Sequence, residues 1–164
     1  MNETLKAELI EVFEAQIKNS VRHTFKTLLN AYGSGMKGVY SSRLARVWAE
    51  TIRPCCESTS NIPSQNEYLL SETRLDRFAN ACAQEMADDV LGKVDSKVGE
   101  MSDAIVHRVG GANFQIAGMK GDRKVFIEQT QILNVSSKGK LFNQFPSRIY
   151  VDGKFTSAAN FAKI

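Results

Sequence analysis

The hydrophobic pattern of this chain changes its period near residue 105, and this change limits the folds it can adopt. Before that point, apolar residues recur at steps of three and four, the spacing that places them on one side of an α-helix. Beyond it, apolar and polar residues alternate, which is typical of strands with one buried face. The sequence therefore predicts an α+β fold, in which an N-terminal helical half packs with a C-terminal antiparallel β-meander.

The helical region is predicted over residues 1–103 and contains three main helices. The first covers 3–31 and the second covers 41–53. The third starts after Ser71, whose hydroxyl is suited to accept from the free amides of a first helical turn. Gly92 and Gly99 are the positions at which this helix is expected to kink or end.

The β-rich region is predicted over residues 104–164, in one compact domain with a core shared with the helices. Its strongest local signal is Asp152-Gly153, because this pair accepts the positive φ angles of a two-residue hairpin turn. Ser157 is expected to cap a short helix that runs to Lys163. The predicted strands lie near 113–118, 124–134, 140–143, 147–151 and 154–157.

Charge is distributed unevenly along the chain. Residues 1–56 carry 8 basic and 5 acidic side chains, residues 57–103 carry 4 and 10, and residues 104–164 carry 9 and 3. The segments thus have net charges of +3, −6 and +6. Two interpretations stay open: the acidic helix neutralises basic neighbours, or a basic face attracts polyanions.

The polar N-terminus lacks the basic start and apolar stretch of a signal peptide, and no apolar run approaches the roughly 20 residues that span a bilayer. We therefore expect a cytoplasmic protein that does not bind membranes. Its three cysteines, Cys55, Cys56 and Cys82, do not form the even set of a secreted disulfide framework. Whether the adjacent pair is redox-active stays open.

Two short motifs near residue 35 resemble catalytic or cofactor motifs only by letter. Gly33-x-Gly35-x-x-Gly38 has the spacing of a dinucleotide fingerprint, but a predicted helix precedes it where the chemistry requires a strand. Ser34-x-x-Lys37 matches an acyl-transfer motif, but its companion motifs are missing. We interpret the segment as an interhelical turn.

Other titratable residues form no recognisable site. Cys55, Cys56, Cys82, His23 and His107 lack the spacing of zinc ligands. Glu85 and Asp89 lie one helical turn apart, which is more typical of a solvated acidic face than of acid–base catalysis. We therefore expect no catalytic residues, no metal and no cofactor.

The Asp152-Gly153 hairpin carries the main candidate site. A two-residue turn pairs Tyr150 with Phe155, and strand alternation adds Arg148 to the same face. Either this face is exposed as a recognition surface, or its two aromatic rings are core. The hypothesis is exposure, because the β-branched pair on the other face packs better on a sheet.

Two further sets of residues are candidates for partner binding. Lys154, Lys138 and Lys140 are basic residues of the β-rich region. In a simple up-and-down sheet, these three lysines would lie at the opposite end from Lys120, Arg123 and Lys124. Two separate basic clusters bind a phosphate backbone less well than one contiguous groove, which weakens the case for nucleic-acid binding. The alternative is a helix face, with the stripe Lys18, Arg22 and Lys26, and Trp48 as exposed apolar surface.

The predicted function is that of a non-enzymatic protein-interaction or assembly protein, in an accessory or inhibitory role. Its partner would be another protein or a second copy of the chain. The alternative is a nucleic-acid-binding protein that uses the basic C-terminal β-lobe. These alternatives differ in one observable, because binding to a phosphate backbone weakens steeply with added salt.

Overall fold

A computed structural model describes residues 3–33, 42–57 and 70–164 of this chain. Its long helices are α1 (Glu3–Gly33) and α3 (Glu72–Gly99), with the short α2 (Ser42–Val47) between them and α4 (Ala158–Ala162) near the C-terminus. The second helix continues beyond α2 as one π turn and one 3₁₀ turn, which reach Cys55. Within these ranges, no helix has the length and apolar content needed to cross a membrane.

The strands follow the long helices, so the predicted α+β class is confirmed. They are β1 (Ser102–Gly110), β2 (Asn113–Lys120), β3 (Arg123–Gln129), β4 (Ile132–Val135), β5 (Leu141–Gln144), β6 (Ser147–Val151) and β7 (Lys154–Thr156). An antiparallel five-stranded sheet has the order β1-β2-β3-β6-β7, and β4 and β5 form a separate two-stranded ribbon.

The structure differs from the predicted strands in two places. The first is β1, which the sequence analysis missed because eight of its nine residues are exposed and show no alternation of burial. The second is the predicted strand 124–134, which divides into β3 and β4. At the break, the Gln131 N–H donates to the side-chain oxygen of Asn113 (2.8 Å) rather than to a backbone carbonyl of a paired strand. The β4–β5 ribbon therefore interrupts the meander.

The predicted helix ends are largely confirmed. The Ser71 hydroxyl accepts from the Arg74 N–H at 3.2 Å, which makes it the predicted N-cap of α3. Helix α3 continues through Gly92 and ends at Gly99. The Ser157 hydroxyl caps α4 in the same way, accepting from the Asn160 N–H at 3.1 Å.

The chain divides into two compact units. The first comprises Met1–Leu9, Ala87–Ile132 and Asn143–Ile164, and the second comprises Ile10–Met86 and Leu133–Phe142. The five-stranded sheet belongs to the first unit. The second contains most of α1, the second helix, the start of α3 and the tip of the β4–β5 ribbon.

In the first unit, one face of the five-stranded sheet is buried, and we call it the inner face. Alternate residues of β2, β3 and β6 supply it, and α4 adds the buried Phe161 beside β6. Each of these side chains contributes roughly 1.5–3 kcal/mol by leaving water. The aliphatic and aromatic members on the strands are Phe114, Ile116, Val125, Ile127, Ile149 and Val151.

In the second unit, the turn of the β4–β5 ribbon lies directly on the backbone of the second helix. The buried Thr51 hydroxyl donates to the Gly139 carbonyl, and Arg46 Nη1 donates to the Ser137 carbonyl at 3.0 Å. Gly139 has a φ of +82°, and a Cβ at this position would overlap the carbonyl group of Arg46. Only glycine allows both this conformation and this approach.

The Gly139→Ala variant is expected to lower the free energy of unfolding by about 2 kcal/mol or more, because the left-handed conformation and the backbone overlap both cost energy. Gly121→Ala is the matched control, since Gly121 also has a positive φ (+64°) but no heavy atom within 4 Å of the added Cβ. Chemical denaturation measures both variants. Equal losses for the two would show that the ribbon turn does not pack as described.

Candidate functional site

The last hairpin has the register that the sequence predicts. Asp152 and Gly153 have φ angles of 50° and 81°, as a two-residue turn of this type requires. Tyr150 therefore pairs with Phe155 across β6 and β7. The turn is also joined to β3, because the Lys124 N–H donates to the Asp152 carboxylate (3.0 Å) and the Asp152 N–H donates to the Lys124 carbonyl (2.8 Å).

The two faces of this hairpin have very different exposure. Ile149 and Val151 are buried on the inner face. Tyr150 is half-buried on the opposite face, and Phe155 there is 68% exposed. Arg148 is exposed in the same strand. The geometric part of the hypothesis is thereby confirmed: the aromatic pair and the arginine lie on the outer face of the sheet.

The aromatic pair is part of a longer row that crosses the whole sheet. Strand pairing places one residue from each of the five strands in line on the outer face. We call this set the apolar row: Ile105, Ala117, Phe126, Tyr150 and Phe155. Its members range from half-buried to 68% exposed, so it is a continuous apolar band on the outer face of the sheet.

Tyr150 contacts the other two rings of the apolar row, tilted against Phe126 and edge to face with Phe155. The ring centroids of Phe126 and Tyr150 are 6.3 Å apart at an interplanar angle of 42°. Those of Tyr150 and Phe155 are 6.1 Å apart at 76°. Such arrangements are favourable between aromatic rings and hold them in defined positions. The rings therefore support one another on the outer face.

A shallow cleft of about 660 Å³ lies along the apolar row. Besides members of the row, Met119 contributes apolar surface, and Asp103, Lys124 and Glu128 line the cleft with charged groups. A second hollow, of about 420 Å³, shares Glu128 and is also lined by Ile132. These dimensions suit apolar side chains or a small apolar ligand.

Charges on the outer face are balanced. Glu128 lies directly opposite Arg148 in the pairing of β3 with β6. Asp103 and Lys124 add one acid and one base to the lining of the cleft. The face thus combines a band of apolar groups with two acidic and two basic residues, and it has no excess of positive charge.

The predicted separation of basic residues is wrong for Lys154. Lys120, Arg123 and Lys124 lie at the β2–β3 turn, and the β6–β7 turn that leads to Lys154 lies at the same end of the sheet. The β4–β5 ribbon is not part of this sheet, and β6 pairs directly with β3. The turn after β6 therefore lies at the same end of the sheet as the turn before β3. Lys120 is already engaged, since its Nζ donates to the Phe161 carbonyl (2.7 Å).

Lys138 and Lys140 belong to the second unit and are exposed in the turn of the β4–β5 ribbon. Both of their backbone amides donate to the Ser136 hydroxyl, at 3.2 and 3.1 Å. The ribbon turn therefore holds the two lysine backbones in fixed positions. Their proposed role in partner binding stays a prediction.

The basic stripe on α1 faces acidic residues of α3 in the second unit. Lys18 forms an ion pair with Asp76, and Arg22 forms one with Glu72 at 3.0 Å. This agrees with the interpretation in which the acidic helix neutralises basic neighbours. Lys26, the third member of the stripe, is exposed.

The expectation that Trp48 offers exposed apolar surface is wrong. Its side chain is 2% exposed, and its ring stacks on Phe25 with centroids 6.2 Å apart. The indole is therefore part of the core of the second unit and cannot contact a partner in this conformation.

The three thiols are neutral at physiological pH. Burial raises the pKa of Cys55 to about 12 and that of Cys56 to about 11, because an ionised thiol would lose its hydration. Burial and the nearby Glu85 also raise the pKa of Cys82. Because the thiolate is the reactive form of cysteine, the adjacent pair lacks the environment of a redox or catalytic site.

The remaining motifs add no chemistry to the site. Residues 34–41, which contain most of the glycine-rich and Ser-x-x-Lys matches, lie outside the described residues. Glu85 and Asp89 are exposed on α3. In the parts of the chain that the structure describes, no three Cys, His, Asp or Glu residues are grouped as metal ligands.

The sequence predicts two of the five members of the apolar row, Tyr150 and Phe155. Ile105 lies on β1, which was not predicted, and Phe126 lies on the predicted strand 124–134 but was not named as a site residue. Phe126 could be identified from the pairing of β3 with β6, because an outward Tyr150 requires an outward residue opposite it on β3.

No known protein family, curated protein or solved structure matches this chain.

Alkylation mapped by mass spectrometry tests the assignment of the thiols. At pH 8, iodoacetamide is expected to label the native protein at Cys82 first, because this side chain is the one of the three that is partly exposed. Cys55 and Cys56 should react only at the rate of unfolding, since their raised pKa values leave almost no thiolate. The control is the same protein in denaturant, where all three should react alike. Rapid native labelling of Cys55 or Cys56 would contradict the assignment.

Proposed function

We propose that this chain is a non-enzymatic protein-binding protein, an assembly, accessory or inhibitory factor whose outer sheet face recognises another protein. The observation that carries this proposal is the apolar row, in which Phe155 is 68% exposed and Ile105 is 59% exposed on the outer face of the sheet. A contiguous apolar band of this kind is unfavourable in water unless a partner covers it. Aromatic residues and arginine are also enriched among the residues that dominate binding energy.

The proposed partner supplies apolar side chains to the cleft beside the row. The cleft is lined mainly by apolar atoms, and the second hollow extends this surface beyond Glu128. Arg148 and Glu128 would flank the apolar contact, where charged groups orient a partner without the cost of full burial. No chemical step is needed, so the proposed role is recognition.

A nucleic-acid partner is the second candidate. It is favoured by the four basic residues at one end of the sheet: Lys120, Arg123, Lys124 and Lys154. A strand stacked on the aromatic rings would, however, pass Asp103 and Glu128, which repel phosphates. We therefore prefer a protein partner, for which a neutral face is suitable.

The Phe155→Ala variant tests the proposal. Removing this ring should weaken partner binding tenfold or more, about 1.4 kcal/mol, because a well-placed aromatic group contributes at least this much at an interface centre. Thermal stability should change little, because the ring is largely exposed. The partner is first isolated from the native host, and its purified form is then titrated by calorimetry.

Ile164→Ala is the matched control, because Ile164 is another exposed apolar residue and follows α4 rather than the apolar row. It should leave the affinity unchanged. Equal affinities of wild type and Phe155→Ala would contradict the proposal. Binding that falls steeply as salt rises from 50 to 200 mM, on the order of a thousandfold, would instead identify the nucleic-acid candidate.

A further inference from the structure

Strand β1 is an exposed edge of the five-stranded sheet. It pairs with β2 on one side, and no strand in the described residues pairs with its other side. It mixes polar residues with exposed apolar ones, and Ile105 is 59% and Val109 53% exposed. The unpaired backbone groups of such an edge can accept another strand. An edge of nine residues with exposed apolar side chains is suited to pair with a further strand.

The other edge of the sheet does not offer an equivalent site. Strand β7 has three residues and leads at once into the Ser157 cap of α4. A head-to-tail array would have to pair the nine residues of β1 with these three. Pairing of β1 with itself is therefore the favourable arrangement, and a twofold axis closes it as a dimer rather than a fibre.

The sequence of β1 is self-complementary about Ile105. Asp103 and Ile105 both line the cleft on the outer face, and alternation places His107 on the same face. If two β1 strands run antiparallel with Ile105 opposite its copy, Asp103 of each chain lies opposite His107 of the other. Two carboxylate–imidazole pairs, each able to form a hydrogen bond across the strands, then flank an apolar centre, and such cross-strand pairs stabilise a sheet.

The same register extends the apolar row. Ile105 is the member of the row on the β1 edge of the sheet. Across the twofold axis it would meet the Ile105 of a second copy, so that two five-residue rows would become one continuous band over ten strands. The bulge at Asp103, which has a positive φ (54°), lies near the start of β1, and the Asp103 side chain lines the outer-face cleft.

We propose that this protein forms a homodimer in which two β1 strands pair antiparallel about Ile105 to make a continuous ten-stranded sheet. This proposal goes beyond the proposed function, because it concerns the β1 edge of the sheet and a second copy of the chain rather than another protein bound on the outer face. Its readout is self-association, which needs no other protein.

Sedimentation equilibrium over a concentration series tests the dimer. The wild-type mass should rise from 18.2 kDa to twice that value. Ile105→Lys should weaken self-association tenfold or more, because it places two like charges opposite each other and removes the apolar centre. Ile164→Lys adds the same charge at another exposed apolar position and should leave the dimer intact.

Circular dichroism is the control for folding, and both lysine variants should match the wild-type spectrum because Ile105 and Ile164 are exposed. A wild type that stays at 18.2 kDa at all concentrations would overturn the proposal. It would also be overturned by a dimer that Ile105→Lys leaves as stable as Ile164→Lys does, because such a dimer would use another surface.

Cysteine cross-linking tests the register. Ile105→Cys should form an interchain disulfide under mild oxidation, because directly opposed residues of paired strands approach within about 4.5–5.5 Å at Cβ. Val109→Cys, four residues further along β1, should not. Cross-linking at Val109 with none at Ile105 would overturn the register, and cross-linking at neither would overturn strand pairing.

Discussion

The pairing of β3 with β6 determines both faces of the sheet at once. Val125 opposes Val151 and Ile127 opposes Ile149, and all four side chains are buried. At roughly 1.5–3 kcal/mol for each, their burial outweighs by several kcal/mol a register that exposed them. Since side chains alternate, this pairing requires the next residues to face outward. The exposed aromatic rings are therefore a consequence of building the core, and they carry the proposed recognition site.

The β4–β5 ribbon explains why the sheet is not a simple meander. Its turn packs on the second helix through Gly139. The chain returns to the five-stranded sheet only at β6, which pairs with β3. The β6–β7 turn consequently lies beside the β2–β3 turn, with Asp152 bonded to the backbone of Lys124.

Periodicity was sufficient to predict the α+β class, α1, α3, the hairpin register and both Ser caps, because these features depend on neighbouring residues. It failed at β1, where an edge strand exposed on both faces has no alternation to detect. It also failed at Trp48, because the burial of this ring depends on its stacking against Phe25 of another helix, a contact that local periodicity does not reveal. The apolar row joins five strands, and its Ile105 and Ala117 could be found only once strand order was known.

Oxidative footprinting of side chains, in the free protein and in complex with its purified partner, tests the central claim most directly. Our account predicts rapid labelling of Tyr150 and Phe155 in the free protein and strong protection of both in the complex. Phe114 and Phe161, which are buried, should be labelled slowly in both states. The account is contradicted if Tyr150 and Phe155 react as slowly as Phe114 in the free protein, or if partner binding leaves their labelling unchanged.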